Sequence, residues 1–287
     1  MAPPLLRPKD SPCRRDPTLH QIAPTLPSQH RSSDAHQVAE WLASDRSLLS
    51  SRCCIFLDLD GTLIEFHDDP AAIGADAELT HLLQSTSDAV GGALALVSGR
   101  SIAALDVMLA PLQLPISGIY GQERRDIHGT IHRKTHNSSA LDPLRAVLLD
   151  FLSGCPGVIV EDKGTALALH FRAAPAYGPD CRQLLHMAAA ELGSAYQVVD
   201  GSMIVEIAPA GTSKATAIEE FLLEPPFASR VPIVLGDDWP DVDAISAVHR
   251  HGGLALVVGT RIEGDFHLDD CRAARNWLAA LASAVRP

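Results

Sequence analysis

An α/β fold is expected for this chain: an open, largely parallel sheet interrupted by a smaller inserted α+β segment. Three observations predict it. Short apolar runs recur at 53–59, 93–97, 116–120, 231–235 and 254–258, continuous rather than alternating, as in strands buried on both faces of a parallel sheet. Amphipathic stretches such as 101–109 and 213–223 separate most of these runs, as crossover helices do. Between 122 and about 209 the texture changes to two alternating strand pairs, 158–160 with 166–171 and 197–199 with 203–207, each behind a helix-like stretch. The expected organisation is a tail over 1–34, a Rossmann-like core from 35–121 and 210–287, and an α+β cap domain from 122–209.

The elements follow in order. Residues 1–34 are rich in Pro, Ser, Arg and His without periodicity, which predicts a disordered tail. Over 34–49, Val38, Trp41, Leu42 and Leu48 recur near helical spacing behind possible Ser and Asp caps, which predicts a packing helix. The first core strand follows, then alternating helices and strands on either side of the insertion. At 287 residues the chain is long enough to bury a sizeable core.

Charge and composition narrow the function classes. With 35 acidic and 23 basic residues the formal net charge is -12, which disfavours nucleic acid and anionic membrane as partners. An acidic protein that binds an anionic phosphate needs a divalent cation and a few focused Lys or Arg side chains. No apolar run approaches the roughly 20 residues of a spanning helix. The start is Pro-rich and lacks the apolar centre of a secretory signal. The six cysteines show no CxxC spacing, as in a reduced chain, so the expected location is cytoplasmic. A monomer is slightly favoured over an oligomer.

The sharpest motif is Asp58-Leu59-Asp60-Gly61-Thr62-Leu63, directly after an apolar strand. In open α/β sheets ligands bind beyond the carboxyl ends of the strands, where these aspartates fall. Their i, i+2 spacing in extended chain sends both side chains to one side. One carboxylate can attack phosphorus while the other protonates the leaving oxygen. A second motif, Ser98-Gly99-Arg100, also ends a strand, and a hydroxyl with free N–H groups suits a phosphoryl oxygen, although a Ser N-cap is the commoner explanation for such a residue. A third, Ser213-Lys214, sets a lysine against the unfavourable dipole of a helix start, where it needs an anion. In a fourth, Asp237, Asp238, Asp241 and Asp243 crowd four carboxylates into seven residues. Hard oxygen ligands without Cys or His point to Mg²⁺, while a helix N-terminal acidic cluster accounts for Asp241 and Asp243.

These four motifs, in this order, resemble those of haloacid dehalogenase-type phosphatases. That resemblance implies Asp58 as nucleophile, Asp60 as general acid/base, and Ser98 and Lys214 as phosphate ligands with Gly99 and Arg100 beside them. It also implies Mg²⁺ bound by Asp58, Asp237 and the backbone carbonyl of Asp60. Within the insertion, 121–127, 161–164, 168–172 and 205–214 are similar to the trehalose-6-phosphate phosphatase family, over about 54–259. By that likeness Glu161, Lys163 and Glu206 grip the distal sugar of a small-molecule sugar phosphate. A phosphatase for sucrose or glucosylglycerol phosphate, or a non-catalytic regulatory domain, remains the alternative. The family's fourth motif reads GDDxTDE, whereas this chain carries Pro240 and Val242 at the Thr and Glu positions; Tyr120 stands where His is usual, and Ala215 where Gly is. His128, His132 and His136 share i, i+4 spacing across a Gly-Thr turn, where it does not converge on a metal. Cys53 and Cys54 read as packing thiols.

Overall fold

The computed structural model describes residues 52–68 and 74–285. The tail expected over 1–34 and the helix expected over 34–49 lie outside the described residues. Chain order begins with β1 (Cys53–Leu57), α1 (Ala77–Ala89), β2 (Leu94–Val97), α2 (Ile102–Leu109), β3 (Ile116–Gly118), β4 (Glu123–Arg125) and β5 (Ile131–Arg133). It continues through α3 (Asp142–Gly154), β6 (Ile159–Asp162), β7 (Leu167–His170), α4 (Gly178–Leu192), β8 (Tyr196–Gly201) and β9 (Ile204–Pro209). It returns with α5 (Lys214–Phe221), β10 (Val231–Gly236), α6 (Trp239–Arg250), β11 (Leu254–Val258), β12 (Phe266–Leu268) and α7 (Cys271–Val285).

An eight-stranded sheet of order β12-β11-β10-β1-β2-β3-β4-β5 forms the larger layer. Strands β12 through β3 run parallel, and β1 pairs with β10 on one side and β2 on the other. Both faces of β1 are covered, which is why CCIFL carries no polar residue. Phe56 projects from β1 into a cluster with Phe221 of α5 and Phe227, at ring-centroid distances of 6.0 and 5.6 Å. The helix after β1 starts where Asp76 accepts from Leu79 N at 2.6 Å, an N-cap bond. Ser101 caps α2 in the same way, accepting from Ala104 N.

The insertion expected to begin at 122 begins differently. β4 and β5 are an antiparallel extension of the large sheet, with Glu123 paired to Gly118 and to Arg133. The run expected as strand to 120 ends at Gly118, because Ile119, Tyr120 and Gly121 all take positive φ and turn the chain back on itself. Glu123, Arg124 and Arg125 conceal a strand because each charge has a partner. Glu123 accepts from Ile102 N at the start of α2, Arg125 pairs with Asp106, and Arg124 with Glu224.

The smaller sheet, antiparallel in order β6-β7-β9-β8, matches the expected strand pairs. One face buries Leu167, Leu169, Val205 and Ile207 against Leu144 and Leu148 of α3 and Cys181 and Leu185 of α4. The other face places Ala166 and Ala208 on Ile119 of the core. Polar ties join the two sheets: Gln197 Nε2 donates to Thr212 O at 2.8 Å, and Ser202 N donates to the Asp238 carboxylate. No helix among the described residues is long and apolar enough to cross a membrane.

Phe56 is fully buried at the centre of this arrangement. Phe56→Ala is expected to lower the unfolding free energy by about 3–5 kcal/mol in urea titrations. Val107→Ala, at an 84% exposed position, should change it by no more than about 0.5 kcal/mol.

Candidate active site

The carboxyl ends of β1, β2 and β10 open into one cleft of about 810 Å³ including its solvent-open mouth, roofed by the smaller sheet. Asp58 follows β1 and is buried. Lys214, first residue of α5, stands with Nζ 2.7 Å from Asp58 Oδ1 and 2.7 Å from Asp241 Oδ1. The anion that a lysine at a helix start requires is therefore supplied by two carboxylates. Burial disfavours the ammonium, yet Asp241 and Asp58 together outweigh it and hold Lys214 protonated, above the usual lysine range.

Carboxylate oxygens of Asp58, Asp237 and Asp241 lie within 4.8 Å of one another. Burial first, then their mutual repulsion, raises Asp58 well above the usual carboxylate range despite Lys214. Burial and Asp241 push Asp237 up to about 7. Burial is the larger cause of both shifts, and the crowding of like charges adds to it. The cations against the trio are Lys214 and Arg261, the latter 2.5 Å from Asp237 Oδ2. Three convergent hard oxygen donors with one uncompensated charge fit a divalent cation of the Mg²⁺ type. Thr62 Oγ1, at 3.3 Å from Asp58 Oδ2 and 3.2 Å from Asp237 Oδ1, can donate to either. Gly61 must be glycine twice over: its φ is +86°, and a Cβ would lie 2.4 Å from Asp237 Oδ2 and from Phe66.

Asp241 was expected to serve only the helix dipole alongside Asp243. The two differ in the fold. Asp241 is buried in the cleft and also accepts from the N–H groups of Asp237 and Asp238, whereas Asp243 is exposed. Pro240 sits in the first turn of α6, where its missing N–H costs no helical bond. Val242 is 40% exposed and does not line the cleft.

Ser98 does not cap the following helix, since Ser101 does. Its buried hydroxyl accepts from Arg100 N at 3.1 Å and faces the cleft. Arg100 grips Asp60 with a two-pronged bond, Nε–Oδ2 2.6 Å and Nη2–Oδ1 2.8 Å, and so orients the carboxylate expected to move protons. From the smaller sheet, Lys163 reaches across to the core, with Nζ 2.9 Å from Gly99 O and 2.6 Å from Glu206 Oε2. Glu206 is buried behind Lys163 and does not itself line the cleft. Glu161 does line it, held by His170 Nε2 at 2.9 Å and 3.9 Å from Lys163. Despite burial, the bond from His170 and the charge of Lys163 hold Glu161 below the usual glutamate range.

Thr62, Arg261, His170 and Arg172 also belong to the site, and none was singled out from sequence. Thr62 was within the first motif, so its place was available; Arg261 lies on the loop after β11, with no motif around it. His132 pairs with Asp126 on the exposed β4–β5 hairpin, away from the cleft. Asp241→Asn is expected to weaken Mg²⁺ binding at least tenfold by calorimetry, on the scale of removing one charged ligand. Asp243→Asn should leave it within a factor of two.

Comparison with known proteins follows the same line. A family model described as trehalose-phosphatase matches residues 56–269. A probable trehalose-phosphate phosphatase of Sinorhizobium fredii is 38% identical over 231 residues, 79% of this chain and 87% of that protein. The trehalose-6-phosphate phosphatase of Escherichia coli is 35% identical over 239 residues, 83% and 90% of the two chains. Among solved structures, the C-terminal domain of C. albicans trehalose-6-phosphate phosphatase superposes with a TM-score of 0.75 at 21% identity, covering 85% of this chain and 96% of that one. The four motifs, the capped parallel sheet and these sequence matches agree, and the chain belongs to the trehalose-phosphatase family of haloacid dehalogenase-fold phosphatases.

Proposed function

We propose that this chain is a Mg²⁺-dependent phosphatase that hydrolyses trehalose 6-phosphate to trehalose and phosphate through an aspartyl-phosphate on Asp58. The observation that carries the reading is a buried carboxylate held 2.7 Å from a buried ammonium in a cleft lined by both sheets. The close relatives are named for this substrate.

Asp58 attacks phosphorus while the ester bond to the sugar breaks, and Asp60 delivers its proton to the leaving sugar oxygen. Asp60 then takes a proton from water, whose oxygen attacks the same phosphorus and releases Asp58 and inorganic phosphate. Lys214 opposes the effect of burial on Asp58, favouring its ionised form, and with Ser98 meets the phosphoryl oxygens. Arg100 holds Asp60 in line for both proton transfers. Asp58, Asp237 and Asp241 would hold the Mg²⁺ ion, with the backbone carbonyl of Asp60 as the resemblance implies. When bound, the cation offsets the repulsion between carboxylate and phosphate.

Lys163 and Glu161 bind sugar hydroxyls, and Glu206 acts behind them by positioning Lys163. The core sheet with α5 to α7 carries the chemistry, and the smaller sheet with α3 and α4 acts as the cap that selects the sugar. The five described cysteines are all unpaired and buried, which supports a reducing, cytoplasmic setting.

Phosphate release from a panel of sugar phosphates, with Mg²⁺ and with chelator, tests the reading. Trehalose 6-phosphate is expected to be the best substrate, and chelation to stop turnover. In the same assay Asp58→Asn should lose at least about a hundredfold in kcat, because an amide is not an anionic nucleophile. A variant retaining more than that contradicts the covalent route. Glu161→Gln and Lys163→Ala should each lower kcat/KM for trehalose 6-phosphate relative to p-nitrophenyl phosphate by at least about tenfold. Equal losses on both substrates would place these residues in the chemistry instead.

A further inference from the structure

Tyr120 enters the cleft from a backbone conformation that side chains rarely adopt. Ile119 (φ 47°) and Tyr120 (φ 51°) are consecutive left-handed residues ahead of Gly121 (φ 89°), and a β-branched residue there is a genuine outlier. The turn is fastened to the phosphate-binding loop itself. Tyr120 N donates to Ser98 O at 3.2 Å, and Ile119 N donates to Arg100 O at 3.0 Å. Backbone strain persists where its surroundings over-determine it, and it gathers at ligand sites. Here it lays the phenol across Gly99, where an added Cβ would sit 2.6 Å from Tyr120 Oη.

The side chain is packed but its hydroxyl is not satisfied. Tyr120 is 9% exposed and lines the cleft, with Lys163 Nζ 5.7 Å from its ring centroid. Its Oη makes no hydrogen bond to any described residue. Oη is not among the buried polar atoms that lack a partner, so it opens on the cleft that Tyr120 lines, where a ligand hydroxyl can meet it. Burial first, then the charges of Glu206, Asp58, Asp241 and Asp238, raise its pKa well above the usual tyrosine value. The group therefore remains a neutral O–H donor.

Its position identifies what it meets. Oη lies against Gly99, in the loop proposed to meet the phosphoryl group, and Lys163, proposed to meet the distal sugar, stands over the ring of the same side chain. A sugar ring that joined a phosphoryl group at Gly99 to a distal ring at Lys163 would pass over Tyr120. We propose that Tyr120 is a specificity-determining residue of this chain, its Oη hydrogen-bonded to a hydroxyl of the phosphate-bearing sugar ring. The proposal rests on the sugar-phosphatase reading of the same cleft.

Tyr120→Phe keeps the ring and its packing and removes only Oη. Steady-state kinetics are measured for wild type and variant on trehalose 6-phosphate and on p-nitrophenyl phosphate, which has no sugar ring. The ratio of the two kcat/KM values is expected to fall about three- to tenfold in the variant, mainly through KM for the sugar phosphate, the scale of one neutral hydrogen bond. A ratio unchanged within a factor of two, whether both rates hold or both fall together, overturns the proposal. If wild type hydrolyses the aryl phosphate but not trehalose 6-phosphate, the substrate reading fails separately. The comparison is then made on whichever panel sugar phosphate it hydrolyses best, with the same criterion. Hydrolysis of no sugar phosphate at all overturns both.

Discussion

Lys214 brings two carboxylates, one after the end of β1 and one in the first turn of α6, to 2.7 Å of one ammonium, in a place nearly closed to water. Each of these charges, buried without the others, would cost several kcal/mol. Their mutual need fixes much of the architecture. β1 must lie beside β10 so that Asp58 and Asp237 end at the same level, and the first turn of α6 must present Asp241 to them. α5 must begin at that point rather than elsewhere on the sheet. Gly61 must lack a side chain so that Asp237 can approach. The negative charge left over after Lys214 and Arg261 are counted is what makes the same place suited to a dication.

Much of this was legible in the sequence, for identifiable reasons. Strands buried on both faces are continuous apolar runs, and the nucleophile and the acidic motif each stand at an end of one, while the lysine opens a helix. Asp241 and Asp243 could not be told apart, because both are acids in the first turn of a helix. Two residues apart they point roughly 200° away from each other, and only packing decides which faces inward. β4 was hidden because its residues are charged, and each charge is met by a group far along the chain, Asp106 or Glu224 among them. Arg261 reaches Asp237 from a loop, where no periodicity marks it. Glu206 was expected to touch sugar and instead lies behind Lys163, since alternation along β9 fixes a side of the sheet but not the depth of a side chain.

The two sheets meet through charge as well as through apolar packing. Lys163 of the smaller sheet donates to Gly99 O in the phosphate-binding loop, so one side chain reports on both ends of the cleft. Phe66 of the core stacks with Arg172 from the end of β7 at 4.3 Å and with Arg261 at 5.1 Å. In a chain with a formal charge of -12, Arg100, Lys163, Arg172 and Lys214 on the cleft wall stand against the acids there, where an anionic substrate would otherwise meet a repelling surface.

The central pairing of β1 with β10 also sets the order of events during synthesis. Thr62 and Asp237, which share a hydrogen bond, are 175 residues apart, with the whole smaller sheet encoded between them. At ribosomal speeds, roughly 10 to 35 s separate their appearance. Through that interval β1, a wholly apolar strand, has β2 beside it and no partner on its other edge. The α3–β9 segment is complete first and can collapse on its own apolar face. A nascent chain of this protein thus carries an open hydrophobic sheet edge until β10 emerges, and it is there that a chaperone would find its grip.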